Sequence, residues 1–207
     1  MSHFRKPLAA AVALNTAICA IETVAGIYAG SLSLLMDAIH NLSDELALVF
    51  LLAALLVSHG PSSNLVRAAN FMNSVGLLVV SALIAWQAIE RTLHPTPVLG
   101  AIPVAFGLMA AVGNWGVARL LREPSRHSAA IRLAYLHNLG DVYVSLAPVA
   151  AGLLIALSGY PAVDPLVALL IAAWFMVGTA RELRESHQEL IWPTGLTCCH
   201  VKESAAP

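Results

Sequence analysis

The stretch LLMDAIHNLSDELALVF, residues 34–50, sets Asp37, His40, Asp44 and Glu45 inside an otherwise apolar run. A second stretch, IRLAYLHNLGDVYVSL at 131–146, repeats its centre with His137 and Asp141. In both copies histidine precedes aspartate by four residues, so on a helix the two side chains project from one face. Ionisable groups inside an apolar span are costly and mark functional positions. Two imidazoles and two carboxylates also make a donor set suited to tetrahedral Zn2+.

Composition agrees with a membrane setting. The 207 residues are 58% hydrophobic and only 11% charged, with mean hydropathy +0.77. A soluble domain of this size needs more charge to cover its surface. A formal net charge of −1 gives no footing for nucleic acid, and no such partner is expected. The N-terminal run continues through Glu22 to Tyr28 without a cleavage site, so it reads as a retained first span. Cys19, Cys198 and Cys199 make an odd set with no disulfide framework.

Turn and breaker clusters fall at Gly30-Ser31, His59-Gly60-Pro61, His94 to Pro97, Glu123 to Ser125 and Ser158 to Pro161. They delimit six expected helices: Pro7–Ala29, Leu32–Val57, Leu65–Leu93, Val98–Leu121, Ser128–Leu157 and Asp164–Glu185. Pro103 and Pro148 fall inside two of them. The fold class expected is an all-α membrane protein, a six-transmembrane-helix bundle. Residues 1–189 form its transport domain and 190–207 a short, disordered cytoplasmic tail. With the N-terminus inside, the inner side collects Arg5, Lys6, Arg67, Arg119, Arg122, Arg126, Arg132, Arg181, Arg184 and Lys202, while Arg91 alone lies outside. The positive-inside rule then places both termini in the cytoplasm.

In that topology the second and fifth helices are antiparallel. Packed face to face, they bring His40 level with Asp141 and Asp44 level with His137, near the depth where transporter sites commonly lie. Two aspartates would neutralise a bound divalent ion. When the site is empty, protons compete for the same atoms. The expected consequence is metal export against proton entry, with no ATP motif needed. A metallohydrolase would require an open coordination position and a separate base, and no HExxH is present. A bis-histidine haem site would leave the aspartates unexplained. No enzyme and no cofactor are expected; Zn2+ is substrate.

The segments SLSLLMDAIHNLSDELALVF (31–50) and LHNLGDVYVSL (136–146) resemble the cation diffusion facilitator family of zinc-type metal/proton antiporters. Asn15 and Glu22, Gly30-Ser31, Arg91 with Pro95, and Asp164-Pro165 are similar to that family as well. The resemblance implies that His40, Asp44, His137 and Asp141 are transport-site ligands. It also implies the zinc/cadmium branch, with Cd2+ and Co2+ as further substrates, and a bacterial inner-membrane location. Members usually continue into a cytoplasmic ferredoxin-like domain and carry a histidine-rich loop. This chain is read as a short form without them, REPSRHSAA offering only His127. A homodimer would then form through the membrane helices, without regulation by a cytoplasmic sensing domain.

Other polar residues carry two readings each. Asp37 shares the ligand face toward the outer side and could relay ions or protons, or bond a neighbouring helix. Asn41 and Asn138 could orient the ligands or make ordinary interhelical hydrogen bonds. Glu22, with Asn15 on one face of the first span, could pass protons or form a structural link. Glu45 points about 100° from Asp44 and is left out of the site. His59 reads as solvent-exposed, and the Cys198-Cys199-His200 cluster as part of the tail. Asp164-Pro165 reads as an N-cap followed by proline at the first helical position. Tyr28 and Tyr160 fit an aromatic belt.

Overall fold

The computed structural model describes residues 5–56, 63–126 and 129–191, and within them the chain is all helical. The elements are α1 (Arg5–Ala29), α2 (Leu32–Leu56), α3 (Ser63–Leu93), α4 (Ala101–Leu121), a 3-10 turn (Pro124–Arg126), α5 (Ala129–Val144), α6 (Leu146–Ser158) and α7 (Val163–Ile191). Among the described residues five stretches are long and apolar enough to cross a membrane: Arg5–Ala29, Ser74–Leu93, Ala101–Leu121, Ala134–Ser158 and Val163–Arg181. At about 1.5 Å per residue, the 25-residue α2 is about 37 Å long, enough for the same task. Val24, Leu83, Val112, Leu154 and Trp174 are among many large apolar side chains on the surface. In water such a surface would aggregate, whereas against lipid it is the ordinary exterior.

Glycines close two helices where the sequence places breaks. Gly30 has φ +66°, its N–H reaches Ile27 O at 3.3 Å, and Ser31 N–H reaches Gly26 O at 3.0 Å. This pair of backward bonds satisfies the last carbonyls of α1 and turns the chain sharply into α2. Gly159, with φ +71°, ends α6 by a single bond to Ile155 O at 2.8 Å. A side chain at either position would be strained in this left-handed conformation.

The fifth expected helix is not continuous. Pro148 has no N–H to give the Val144 carbonyl, and the chain breaks at Ser145 between α5 and α6. Pro148 and Pro103 both lie in the first turn of their helices, where a missing donor is tolerated. The largest other shifts are in α4, which begins at Ala101 rather than Val98, and in α7, which runs on to Ile191 rather than ending at Glu185. Residues 190 and 191 are therefore helical, not tail. The rest of the expected tail, Cys198-Cys199-His200 included, lies outside the described residues, as do His59 and His127.

Two apolar clusters hold the bundle. One joins α2, α3 and α7 through Leu32, Met36, Ile84, Ala88, Ala172 and Phe175. The other joins α1, α2, α4 and α5 through Leu8, Ile18, Leu48, Ala110, Val117 and Ile131. α2 belongs to both, which puts its polar face between them. Its first turn is fixed from across the bundle. The Asp164 carboxylate on α7 accepts hydrogen bonds from Ser31 Oγ (2.6 Å), Ser33 Oγ and Leu32 N–H (2.6 Å). Asp164 thus serves the N-terminus of α2, a favourable place for an anion, rather than capping its own helix. Arg91 Nη1 donates to Gly30 O at 2.6 Å and braces the same turn.

α4 and α6 touch backbone to backbone. A Cβ built on Gly152 would lie 2.4 Å from Gly100 O and 2.8 Å from Val104 Cγ2. Because the nearest atom is main chain, it has no rotamer by which to yield. Gly152→Val should therefore lower the melting temperature of the detergent-solubilised protein, in line with overpacking penalties of about 1–3 kcal/mol. An unchanged melting curve would mean that the two helices do not pack this closely.

Candidate metal centre

α2 and α5 run in opposite directions past each other, and their histidine–aspartate faces meet. His40 Nε2 lies 3.0 Å from Asp141 Oδ1, and His137 Nε2 lies 2.7 Å from Asp44 Oδ1. His40 Nε2 is also 3.5 Å from Asp44 Oδ2. One donor atom from each of the four residues can be chosen so that all lie within 4.8 Å of one another. A tetrahedron with metal–ligand bonds near 2.0–2.1 Å has edges of about 3.3–3.5 Å. The observed contacts bracket that edge, so small rotations suffice to surround an ion.

The setting favours a cation. His40, Asp44 and Asp141 are buried, whereas the His137 side chain is 50% exposed and leaves the centre accessible on its side. Asp44 Oδ2, Asp141 Oδ2 and His40 Nδ1 are enclosed without hydrogen bonds. Buried polar atoms normally find partners, and unsatisfied carboxylate oxygens are what an incoming ion would use. The His40 ring stacks on Phe175 of α7, centroids 4.0 Å apart and planes at 25°. That contact fixes the ring plane and closes the side of the centre next to α7.

A second polar cluster adjoins the first. Asn41 is its hub: Nδ2 donates to Glu22 Oε2 at 2.6 Å, its backbone O accepts from Asn15 Nδ2 at 3.0 Å, and its Oδ1 accepts from Asn114 Nδ2 at 3.2 Å. Asn114 Nδ2 also lies 3.2 Å from Ser145 Oγ, at the break in the fifth span. Asp37 is fully buried; Ser145 and Glu22 are its polar neighbours, neither in good hydrogen-bonding geometry. Asn138 stands apart, donating to Ala134 O of its own helix at 2.9 Å. Glu45 faces α1, where Thr16 Oγ1 lies 2.6 Å from its Oε1, away from the ligands.

The sequence pattern brings together the four HxxxD residues and sets Asn41, Glu22 and Asp37 beside them. It misses Asn114, Ser145 and Phe175, and it gives Asp164 to the start of its own helix rather than to that of α2. Asn114 was visible as a lone amide in an apolar span; nothing in sequence marks Phe175 as the neighbour of His40.

The cation efflux transmembrane domain family matches residues 8–191, nearly all of the helical region just described. The chain belongs to this family. Among curated proteins it is similar to the zinc transporter ZitB of Escherichia coli, 34% identical over 180 residues, covering 83% of this chain and 58% of the relative. It is also similar to the cadmium, cobalt and zinc/H(+)-K(+) antiporter of Bacillus subtilis, 30% identical over 178 residues, with 81% and 57% covered. The metal cation efflux system protein CzcD of Cupriavidus metallidurans is 27% identical over 195 residues, with 90% and 61% covered. The chain thus spans roughly three fifths of the length of the curated relatives it matches. The family, the bacterial relatives and the five apolar spans make it a multi-pass protein of the bacterial inner membrane, in a transporter family rather than an enzyme family.

If Asn41 holds α2 so that His40 and Asp44 face α5, Asn41→Ala should weaken Zn2+ binding about 10- to 100-fold without abolishing it, as loss of a ligand-orienting bond does elsewhere. Isothermal titration of the purified protein reads this directly. Unaltered affinity would make Asn41 a packing residue only.

Proposed function

We propose that the chain exports Zn2+, with Cd2+ as a further substrate, from the cytoplasm in exchange for protons. The ion is held tetrahedrally by His40, Asp44, His137 and Asp141 between α2 and α5. The observation that carries this reading is the convergence of these four donors from two antiparallel helices. The names of the relatives, a zinc transporter and a cadmium, cobalt and zinc antiporter, agree with it.

The proposed topology has six spans, with α2 as the sixth and α5–α6 counted as one, and both termini in the cytoplasm. His137 and Asp44 then lie on the inner side of His40 and Asp141. The half-exposed ligand, His137, faces the compartment from which the ion arrives. Imidazole nitrogen and carboxylate oxygen bind Zn2+ only when deprotonated, so loading displaces protons and unloading allows them back. Binding that alternates between the two sides couples the flows without a chemical fuel. Asp37, Asn41 and Glu22 complete the polar surroundings, Asn41 and Glu22 by positioning α2 against α1, whereas Asn138 bonds its own helix. A homodimer through the membrane helices belongs to the same proposal and is read by cross-linking in native membranes.

In proteoliposomes, Asp44→Ala and Asp141→Ala should each reduce Zn2+ transport by about tenfold or more, since losing a ligand is at least as severe as losing its support. Each variant also takes away the hydrogen-bond partner of one imidazole, so the melting temperature of the metal-free protein is read beside transport to separate a lost ligand from a lost fold. Parental transport in both variants would remove the site.

Proton coupling has its own outcome. An inward proton gradient imposed across the vesicles should accelerate Zn2+ movement, and collapsing the gradient should slow it. Rates indifferent to the gradient would leave facilitated diffusion in place of exchange.

A further inference from the structure

At the end of the bundle where α1 starts and α4 finishes, a groove of ≈ 560 Å³ is lined by Lys6, Pro7, Ala10, Gly116, Arg119 and Leu120. Its two charged walls are cations, and its floor is apolar. We propose that this groove binds an anionic phospholipid, the phosphate held between Lys6 and Arg119 and an acyl chain lying along Ala10, Gly116 and Leu120.

Charge complementarity selects this occupant. The first turn of α1 holds Arg5 and Lys6 and no acid, although a helix N-terminus is already positive and is stabilised by anions. Arg119 and Arg122 add two more cations at the end of α4. The carboxylate nearest in sequence, Glu123, is engaged with Arg126 at 3.6 Å. Among the described residues Lys6, Arg119 and Arg122 form no ion pair with a carboxylate, and a phosphodiester would balance them. Basic pockets between transmembrane helices accept anionic headgroups for the same reason.

The geometry also fixes depth. The Arg119 guanidinium lies over the Trp115 ring, 5.5 Å from its centroid. Trp115 is 51% exposed, as expected of an indole at the boundary between hydrocarbon and headgroups. This pairing holds the guanidinium at headgroup level instead of letting it extend into water. Gly116 faces α1, where a Cβ would meet Leu14 Cδ2 at 3.2 Å. Its lack of a side chain keeps the two helices close and the groove floor shallow, leaving a furrow that a methylene chain can follow. A free phosphate ion would use the cations but not this floor.

The proposal depends on the membrane-spanning reading and not on the metal centre. Native mass spectrometry of the full chain, purified in mild detergent and supplied with equal phosphatidylglycerol and phosphatidylcholine, tests it. Phosphatidylglycerol should be retained in about tenfold preference, and Lys6→Gln with Arg119→Gln should reduce the preference by about that factor. The single variants should each give part of the loss, which keeps the test open if the double variant fails to fold. Zn2+ affinity should be unchanged in all of them, separating failure of the groove from failure of the transport site. Equal retention of the two lipids, a preference that survives the substitutions, or displacement by millimolar inorganic phosphate would each overturn the proposal.

Discussion

The arrangement depends on how much negative charge the bundle buries. Glu22, Asp37, Asp44, Glu45, Asp141 and Asp164 are all buried within the helical region. Their partners among the described residues are imidazoles, amides, hydroxyls and backbone N–H groups, not lysine or arginine. Carboxylates in such a place must be neutralised, hydrogen-bonded or matched by a mobile cation. Five of the six divide accordingly, and Asp37 is left without a hydrogen bond. Asp164 is satisfied by a helix end and two serines, Glu22 and Glu45 by an amide and a hydroxyl, and Asp44 and Asp141 only by imidazoles that can be shared with an ion.

That division explains why α2 sits where it does. It supplies fully buried residues to both apolar clusters, and it carries half of the buried acids. Asp164 and Arg91 hold its first turn, Asn15 and Glu22 hold it against α1 through Asn41, and Phe175 seats His40. Each contact restricts rotation about the helix axis, and rotation would turn the ligand face away from α5. Rigid support of this kind keeps His40 and Asp44 turned toward Asp141 and His137 of α5.

Much of this was legible in the chain because membrane helices obey few rules. Backbone groups must be satisfied within the helix, so apolar length and breaker residues locate the elements, and Gly30 and Gly159 end helices for the reason their type suggests. The HxxxD spacing fixes a shared face, and antiparallel direction pairs His40 with Asp141. Contacts between helices were less legible. Asp164-Pro165 has the form of a local helix start, yet its carboxylate goes to α2, a choice made by tertiary packing. Pro148 signalled a disturbance, but nothing in sequence shows that the Ser145 carbonyl would lie against Gly107 of α4. The stacking of Phe175 on His40 joins residues whose sequence separation carries no periodic signal.

The interrupted fifth span has a mechanical corollary. Past Ser145 the rod is wedged onto α4 by Gly152 and Gly107, whose missing side chains leave no slack. Before it, the half bearing His137 and Asp141 lacks the rung that Pro148 would otherwise have supplied. A rod anchored at one end and notched just beyond its two ligands bends most readily at the notch. Any change of angle within this span is therefore concentrated at Ser145, with the part past it seated against α4.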